Sequence, residues 1–168
     1  METNETFNGA KAAFTFHHFY LSAVGQEIGM DRAIALERQT FENTGTTQGK
    51  FLRDNSGIKT FNAKTAHALV KAVPEGFCVM GDIQEESHHK VRFTCRHCSK
   101  YEGAENAGLD KKTRENLCRN GSIRYLDSIV KQLNPNLSYR LIKYRTSADD
   151  CCEEEIGSPN SDSTCFGI

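Results

Sequence analysis

The residues of this chain best suited to chemistry are its seven cysteines, two of which stand in the segment Cys95-Arg-His-Cys98. Two thiolates separated by two residues can bind one zinc ion, because the turn between them lets both sulfur atoms face the same point. A structural zinc site needs four ligands. Cys118 is a candidate third ligand, and one of Cys151 and Cys152 is the fourth, since adjacent strand residues point to opposite faces. Zinc is therefore the candidate cofactor.

The same cysteines fit two other interpretations. A cysteine becomes a nucleophile when nearby positive charge lowers its pKa. Cys95 or Cys98 is then the candidate nucleophile, and His97 is the candidate proton shuttle. Free cysteine is also commonly a small buried hydrophobic residue, which is the structural alternative. The residues alone leave all three interpretations open.

Length and charge narrow the class of protein. The 168 residues have the size of a single domain. Basic and acidic residues nearly cancel, 21 against 22, so no strong field attracts nucleic acid or an anionic membrane. The most apolar stretch, residues 14–24, is too short and too polar to span a bilayer. Seven cysteines without a recognisable secretory signal indicate a reducing compartment, so the expected location is cytoplasmic.

Hydrophobic periodicity predicts helices first and strands later. Helical spacing predicts three helices, over residues 9–29, from Asp31 towards Gly45 and beyond, and from an Asn62 cap to about Val73. Period-two alternation predicts hairpins at about 77–95 and 137–156, and a helical segment with a Ser122 cap lies between them. The predicted fold is α+β, with N-terminal helices packed on an antiparallel sheet of two hairpins with an intervening helix.

The same pattern assigns domain limits and buried faces. Residues 1–8 and 157–168 are predicted to be disordered, and residues 9–156 are predicted to form one small-molecule-binding domain. The residues predicted to be buried are Val91, Phe93, Leu126, Ile129, Val130, Leu133, Tyr139 and Leu141. Phe16, Phe19 and Tyr20 are predicted to line a ligand cavity, although filling the core is an equal alternative. The carboxylates of Asp149, Asp150, Glu153, Glu154 and Glu155 are interpreted as exposed groups on an edge strand.

Three stretches together resemble the 2-aminothiazoline-4-carboxylate hydrolase family. They are Phe16-His-His-Phe-Tyr20 with Gln26-Glu-Ile-Gly29, then Cys95-Arg-His-Cys98-Ser-Lys-Tyr101-Glu102, and the run from Leu117-Cys118 through Asn134-Pro135 to Cys151-Cys152. The resemblance covers roughly residues 10–156. The C-terminal half of that family is similar to the 4-vinyl-reductase-like ligand-binding domains.

The resemblance implies a function and an assembly. It implies a homodimer that holds a small organic ligand between helices and a curved antiparallel sheet, and that hydrolyses a cyclic C–N bond of a small sulfur- or nitrogen-containing compound. The alternative is a non-catalytic ligand-binding or zinc-binding sensory module. In the sensing branch, cysteines around the final hairpin hold zinc; Cys152 matches one of them, whereas residues 143–147 contain no cysteine. The resemblance thus favours Cys95, Cys98, Cys118 and Cys152 as the metal ligands.

Overall fold

The structure is a computed structural model that describes residues 2–77 and 79–158. Its helices are α1 (Glu2–Ile28), α2 (Met30–Asn55), α3 (Ala63–Val70), α4 (Ala72–Gly76), α5 (Ser99–Asn106), α6 (Lys111–Leu117) and α7 (Ile123–Leu133). A π-helical turn (Cys118–Ser122) joins α6 to α7. The strands are β1 (Val79–Glu86), β2 (Lys90–Cys98), β3 (Ser138–Lys143) and β4 (Cys152–Gly157).

The four strands form one antiparallel sheet, in the order β1-β2-β4-β3. The sheet confirms the predicted α+β fold, because β1 and β2 form one hairpin, β3 and β4 form the other, and the two hairpins join where β2 pairs with β4. Helix α7 covers one face of the sheet, and all eight residues predicted to be buried are buried. In the part of the chain that is described, no helix combines the length and apolarity needed to cross a membrane.

Helices α2 and α7 pack with their backbones unusually close, and glycines make this approach feasible. A Cβ atom added at Gly45 would fall on the Tyr125 carbonyl oxygen, and one at Gly49 would lie 2.8 Å from the Ile129 carbonyl oxygen. Helices α1 and α5 meet in the same way, because a Cβ atom at Gly103 would lie 2.8 Å from the Phe14 Cβ atom. Both helix pairs therefore require glycine, which has no side chain, at the point of contact.

Several predicted boundaries need correction. Helix α1 begins at Glu2 rather than at residue 9. Asn62 does cap α3, and its side chain accepts a hydrogen bond from the Thr65 N–H group. Ser122 makes no capping bond, because the helix continues through the π-helical turn. The tail predicted to be disordered begins at residue 157, but Gly157 is the last residue of β4. The part of that tail after Ser158 lies outside the described residues.

The carboxylates of β4 are not on an edge strand, because β4 lies between β2 and β3. Glu154 points into the core, where it accepts a hydrogen bond from the Tyr139 hydroxyl. Glu155 points to the other face and is fully buried between Arg92 and Arg140, with Arg92 Nη2 at 2.8 Å. These arginine contacts hold the pKa of Glu155 below its usual value, although burial opposes them.

We expect Gly45→Ala to destabilise the fold by about 1–3 kcal/mol, because the added methyl group meets rigid backbone of α7. Gly9→Ala is the matched control, since a Cβ atom at that helical position meets nothing within 4 Å. Alanine there should stabilise the helix by up to about 1 kcal/mol. Urea unfolding of the two variants measures both effects, and equal stabilities would contradict the close packing of α2 on α7.

Candidate functional site

A cavity of about 400 Å³ lies inside the fold, between the helices and the inner face of the sheet. Helices α1, α2, α5, α6 and α7 contribute to its wall, and so do strands β1, β2 and β4. Aromatic and aliphatic side chains make up most of the lining, among them Phe14, Phe41, Leu117 and Leu126. A cavity of this size and character is typical of sites that bind small organic molecules.

A β-bulge brings Cys95 and Cys98 to the same cavity. In a regular strand, residues three apart face opposite sides of the sheet. Here Gly81 pairs with Cys95 and Val79 pairs with Cys98, so between these pairs one residue of β1 opposes two of β2, and the register shifts. The extra residue reverses the alternation, and both sulfur-bearing side chains line the cavity.

The bulge also decides the position of His97. Regular alternation would place His97 on the inner face with Cys95. Instead its side chain is exposed and does not line the cavity. The geometry therefore gives His97 no route to serve as the predicted proton shuttle for a ligand in this cavity.

Two more cysteines reach the cavity from other elements. Cys152 on β4 pairs in register with Cys95 on β2, and Cys118 begins the π-helical turn. Cys118 and Cys152 both line the cavity, whereas Cys151, the residue before Cys152, does not. The structure thus places Cys95, Cys98, Cys118 and Cys152 at the wall of one cavity, and of the adjacent pair it is Cys152 that faces this cavity.

Convergence does not produce a set of metal ligands. Across residues 2–77 and 79–158, no group of three or more Cys, His, Asp or Glu side chains is arranged to hold a metal ion. The sulfur atoms have other neighbours: the Tyr101 N–H group lies 3.4 Å from Cys98 Sγ, and Arg145 lies beside the cysteines, where its Nη2 atom donates a hydrogen bond to the Cys95 carbonyl oxygen at 2.7 Å. A buried guanidinium group beside the sulfurs also disfavours a second cation there. The four-cysteine zinc site is therefore not formed in this arrangement.

Cys98 is the thiol whose surroundings favour the thiolate. Hydrogen bonding from Cys95 lowers the pKa of Cys98, and the Tyr101 N–H group and the charge of Arg145 act in the same direction. Cys98 is the N-cap of α5, so the helix dipole adds to these contacts. Cys95 shows the opposite behaviour, because the Cys98 sulfur and burial both raise its pKa. Of the two thiols, Cys98 is therefore the one that ionises first.

Burial shifts two further groups at this wall, Cys118 and Glu154, towards their neutral forms. Burial raises the pKa of Cys118 well above its ordinary value, and it also raises the pKa of Glu154. Glu154 lines the cavity and is bonded to Tyr139. A buried carboxyl group with a raised pKa can donate or accept a proton near neutral pH. Glu154 is thus a candidate acid or base that the edge-strand interpretation missed.

The predicted ligand-binding face of α1 is wrong. Phe16, Phe19 and Tyr20 point outward and are 75%, 55% and 63% exposed. The opposite side of the helix faces inward, and it presents Phe14 and His18 to the cavity. Both faces carry aromatic rings at helical spacing, so periodicity could not tell which side is buried.

Unpaired polar atoms cluster at the α1–α2 end of the cavity. Lys100 is 7% exposed, and its Nζ atom has no hydrogen-bond partner among the described residues. His18 is fully buried, and neither of its ring nitrogens has a partner. Glu37 Oε1 accepts a hydrogen bond from His17 at 2.9 Å, but its second oxygen is unpaired. Buried polar atoms are normally paired, so this cluster requires an explanation.

Burial determines the charge of His18. It lowers the pKa of His18 to about 4, and the positive charge of Lys100 adds to this effect. The backbone carbonyl of Lys100 acts weakly in the opposite direction, without reaching hydrogen-bonding geometry. His18 is therefore a neutral imidazole at physiological pH, with one N–H donor and one acceptor nitrogen.

Protein-family models, curated proteins and solved structures were each compared with this chain, and none of them matches it. The features of this chain that indicate a function are therefore its cavity and the side chains that line it. Both the thiol pair and the cluster around Lys100 belong to that lining.

We expect Cys98 to be alkylated by iodoacetamide at least about 10-fold faster than Cys118 at pH 7, because only the thiolate reacts. Its rate should rise with pH and reach half its maximum below about pH 8.5, the ordinary cysteine value. Peptide mass spectrometry measures both rates in the same sample. A midpoint above pH 8.5 for Cys98 would contradict the assignment of the charge.

Proposed function

We propose that this domain binds a small, mainly apolar organic molecule in its internal cavity. The observation that carries the proposal is the cavity of about 400 Å³, because interiors of folded domains are otherwise closely packed. Its wall combines a large apolar surface with a few polar groups, among them Lys100, His18 and Cys98. Such a combination gives affinity through the apolar surface and orientation through the polar groups.

The position of the cavity supports binding rather than a packing defect. Thr40 and Thr44 of α2 are exposed and also line the cavity, so it opens to solvent beside this helix. Inside, both charged and neutral polar atoms lack partners. A ligand that enters past α2 can supply those partners and release the water that otherwise hydrates them.

We expect Thr44→Trp to weaken binding of 2-naphthamide at least about 10-fold, because the indole ring would obstruct the opening. Thr47→Trp is the matched control, since Thr47 is exposed on the same helix but does not line the cavity. Isothermal titration calorimetry measures both variants and the wild type. Absence of 2-naphthamide binding to the wild type, or equal weakening by both substitutions, would count against the cavity as the binding site.

Hydrolysis of a cyclic C–N bond is the reaction that we propose for this cavity. The specific observation in its favour is Cys98, which lines the cavity and has a lowered pKa. Its sulfur would add to the C=N carbon of a cyclic amidine, and the ring C–N bond would break as the nitrogen takes up a proton. Water would then cleave the new carbon–sulfur bond and restore the thiol. The resemblance to 2-aminothiazoline-4-carboxylate hydrolases supports the same class of substrate.

We expect Cys98→Ser to lower the hydrolysis of 2-aminothiazoline-4-carboxylate at least about 100-fold, because serine lacks a reactive thiolate. Cys151→Ser should keep the activity, since Cys151 does not line the cavity. Nuclear magnetic resonance of the ring protons follows the reaction directly. Binding without turnover by the wild type would instead favour the non-catalytic sensory module.

We also propose that the protein is a homodimer and that it is located in the cytoplasm. The resemblance implies the dimer, and Phe16, Phe19 and Tyr20 provide an exposed aromatic surface on α1. Sedimentation velocity tests the dimer. The location follows from the seven cysteines, because reducing compartments keep thiols free.

A further inference from the structure

The free thiols of Cys95 and Cys98 are neighbours at the wall of the cavity. Their sulfur atoms lie close enough for a hydrogen bond to form between them. Both side chains face the cavity because of the β-bulge in β2. Two free thiols in contact are the reactants of a disulfide bond, which forms once one of them is oxidised.

The β-bulge also shortens the backbone distance between the two cysteines. In a regular strand, residues three apart are separated by about 10 Å, because each residue advances about 3.4 Å. Here the strand partners of Cys95 and Cys98 are Gly81 and Val79, which are only two residues apart and therefore separated by about 7 Å. A disulfide bond can join Cα atoms up to about 7 Å apart. The bulge thus brings the pair into the range of a disulfide bond.

Cys98 is the thiol of the pair that reacts with oxidants. It is the N-cap residue of α5, so the positive end of the helix dipole is close to its sulfur. The Tyr101 N–H group lies 3.4 Å from that sulfur, and the buried guanidinium group of Arg145 holds a positive charge nearby. All three features stabilise the thiolate, which is the form of cysteine that attacks an oxidant.

Cys95 is the partner thiol that keeps its proton. Its side chain is buried, and its S–H group donates a hydrogen bond to the His97 carbonyl oxygen at 3.6 Å. A buried neutral thiol reacts slowly with oxidants, but it can condense with the sulfenic acid of a neighbouring cysteine. The pair thus combines one reactive thiol with a second thiol that can resolve its oxidised form.

The cavity determines which oxidants reach the pair. Cys95 is 3% exposed, and the cavity opens to solvent beside Thr40 and Thr44 of α2. Thiols that line an internal cavity are shielded from protein oxidants. A hydroperoxide is much smaller than the cavity volume of about 400 Å³, so it can diffuse to Cys98. The class of oxidant that fits this site is therefore a small hydroperoxide.

We propose that Cys95 and Cys98 are a peroxide-reactive pair, which a hydroperoxide converts to a reversible disulfide. The Cys98 thiolate attacks one oxygen of hydrogen peroxide, the O–O bond breaks, and hydroxide leaves, so Cys98 becomes a sulfenic acid. The Cys95 sulfur then attacks the Cys98 sulfur, the S–O bond breaks, and the hydroxyl group leaves as water with the Cys95 proton. The two thiols lose two electrons, and the peroxide accepts both. A thiol reductant returns the pair to its starting state.

Formation of the disulfide requires neither a bound ligand nor turnover, so it goes beyond the proposed function. One consequence does rest on that function: while the disulfide persists, Cys98 has no free sulfur to add to a ligand. The oxidised protein would therefore lose the proposed hydrolysis and regain it after reduction.

The test treats the native wild-type protein with a small molar excess of hydrogen peroxide, blocks the remaining thiols with iodoacetamide, and digests the protein with trypsin. Trypsin cleaves after Arg96, between the two cysteines, so the disulfide appears as peptide 93–96 linked to peptide 97–100. Mass spectrometry should find these linked peptides after peroxide and lose them after dithiothreitol. Cys152 is on peptide 146–168, so a different pairing has a different mass.

Three substitutions test the roles of the thiols. Cys98→Ser should slow the peroxide oxidation of Cys95 at least about 10-fold, because the remaining thiol is buried and neutral. Cys95→Ser should remove the linked peptides and leave Cys98 as a sulfenic acid, which dimedone traps. Cys118→Ser is the matched control, since Cys118 lines the same cavity, and this variant should form the disulfide at the wild-type level.

The wild-type protein decides the result even if a variant does not fold. Sulfinic acid at Cys98 without linked peptides, or a disulfide between peptides 93–96 and 146–168 instead, would overturn the proposed pair. Thiols that stay fully reduced in peroxide would do the same. Ligand binding and turnover have no part in this measurement, so its result is independent of the proposed function.

Discussion

Two close helix contacts, each made through glycine, set the frame on which the rest of the structure depends. Helix α2 meets α7 at Gly45 and Gly49, and helix α1 meets α5 at Gly103. Helix α7 in turn packs on the sheet, so the first contact ties α2 to the core. The cavity lies between the two helix pairs, whose spacing is fixed by backbone contact rather than by flexible side chains. Such a frame can hold an open interior without collapse.

That interior carries an energetic cost which a well-packed core would avoid. An unpaired buried polar group costs about 1–3 kcal/mol, and His18, Glu37 and Lys100 each have at least one unpaired atom. The apolar cluster beneath α7 offsets this cost, because residues such as Ile129 and Val130 are fully buried. Buried polar groups of this kind are commonly found where a protein binds or transforms a ligand.

The sequence predicts the elements of this fold better than the site they form. Val91 and Phe93 alternate with polar neighbours, and Asn62 is a strong capping residue. The residues next to each other in sequence are therefore enough to predict strand β2 and the start of helix α3. The bulge after Cys95 depends on pairing with β1, which no local pattern encodes. Helix α5 is short and polar, so its sequence shows no hydrophobic periodicity. Neither the helix nor the burial of Lys100 could therefore be predicted. Glu154 was missed because strand order, which decides what is an edge, is set by non-local contacts.

The pairing of β2 with β4 has a kinetic consequence. It joins residues as far apart as Arg92 and Glu155, which are separated by 63 positions. Contacts of such long range form late, because the chain must first lose the entropy of closing the intervening loop. Cys152 and Glu154 reach the cavity wall only through this pairing. Before that step, the β1–β2 hairpin can exist with Cys95 and Cys98 open to solvent and to oxidants. The cavity wall is thus completed only when this long-range pairing forms, and its thiols are more open to oxidation until then.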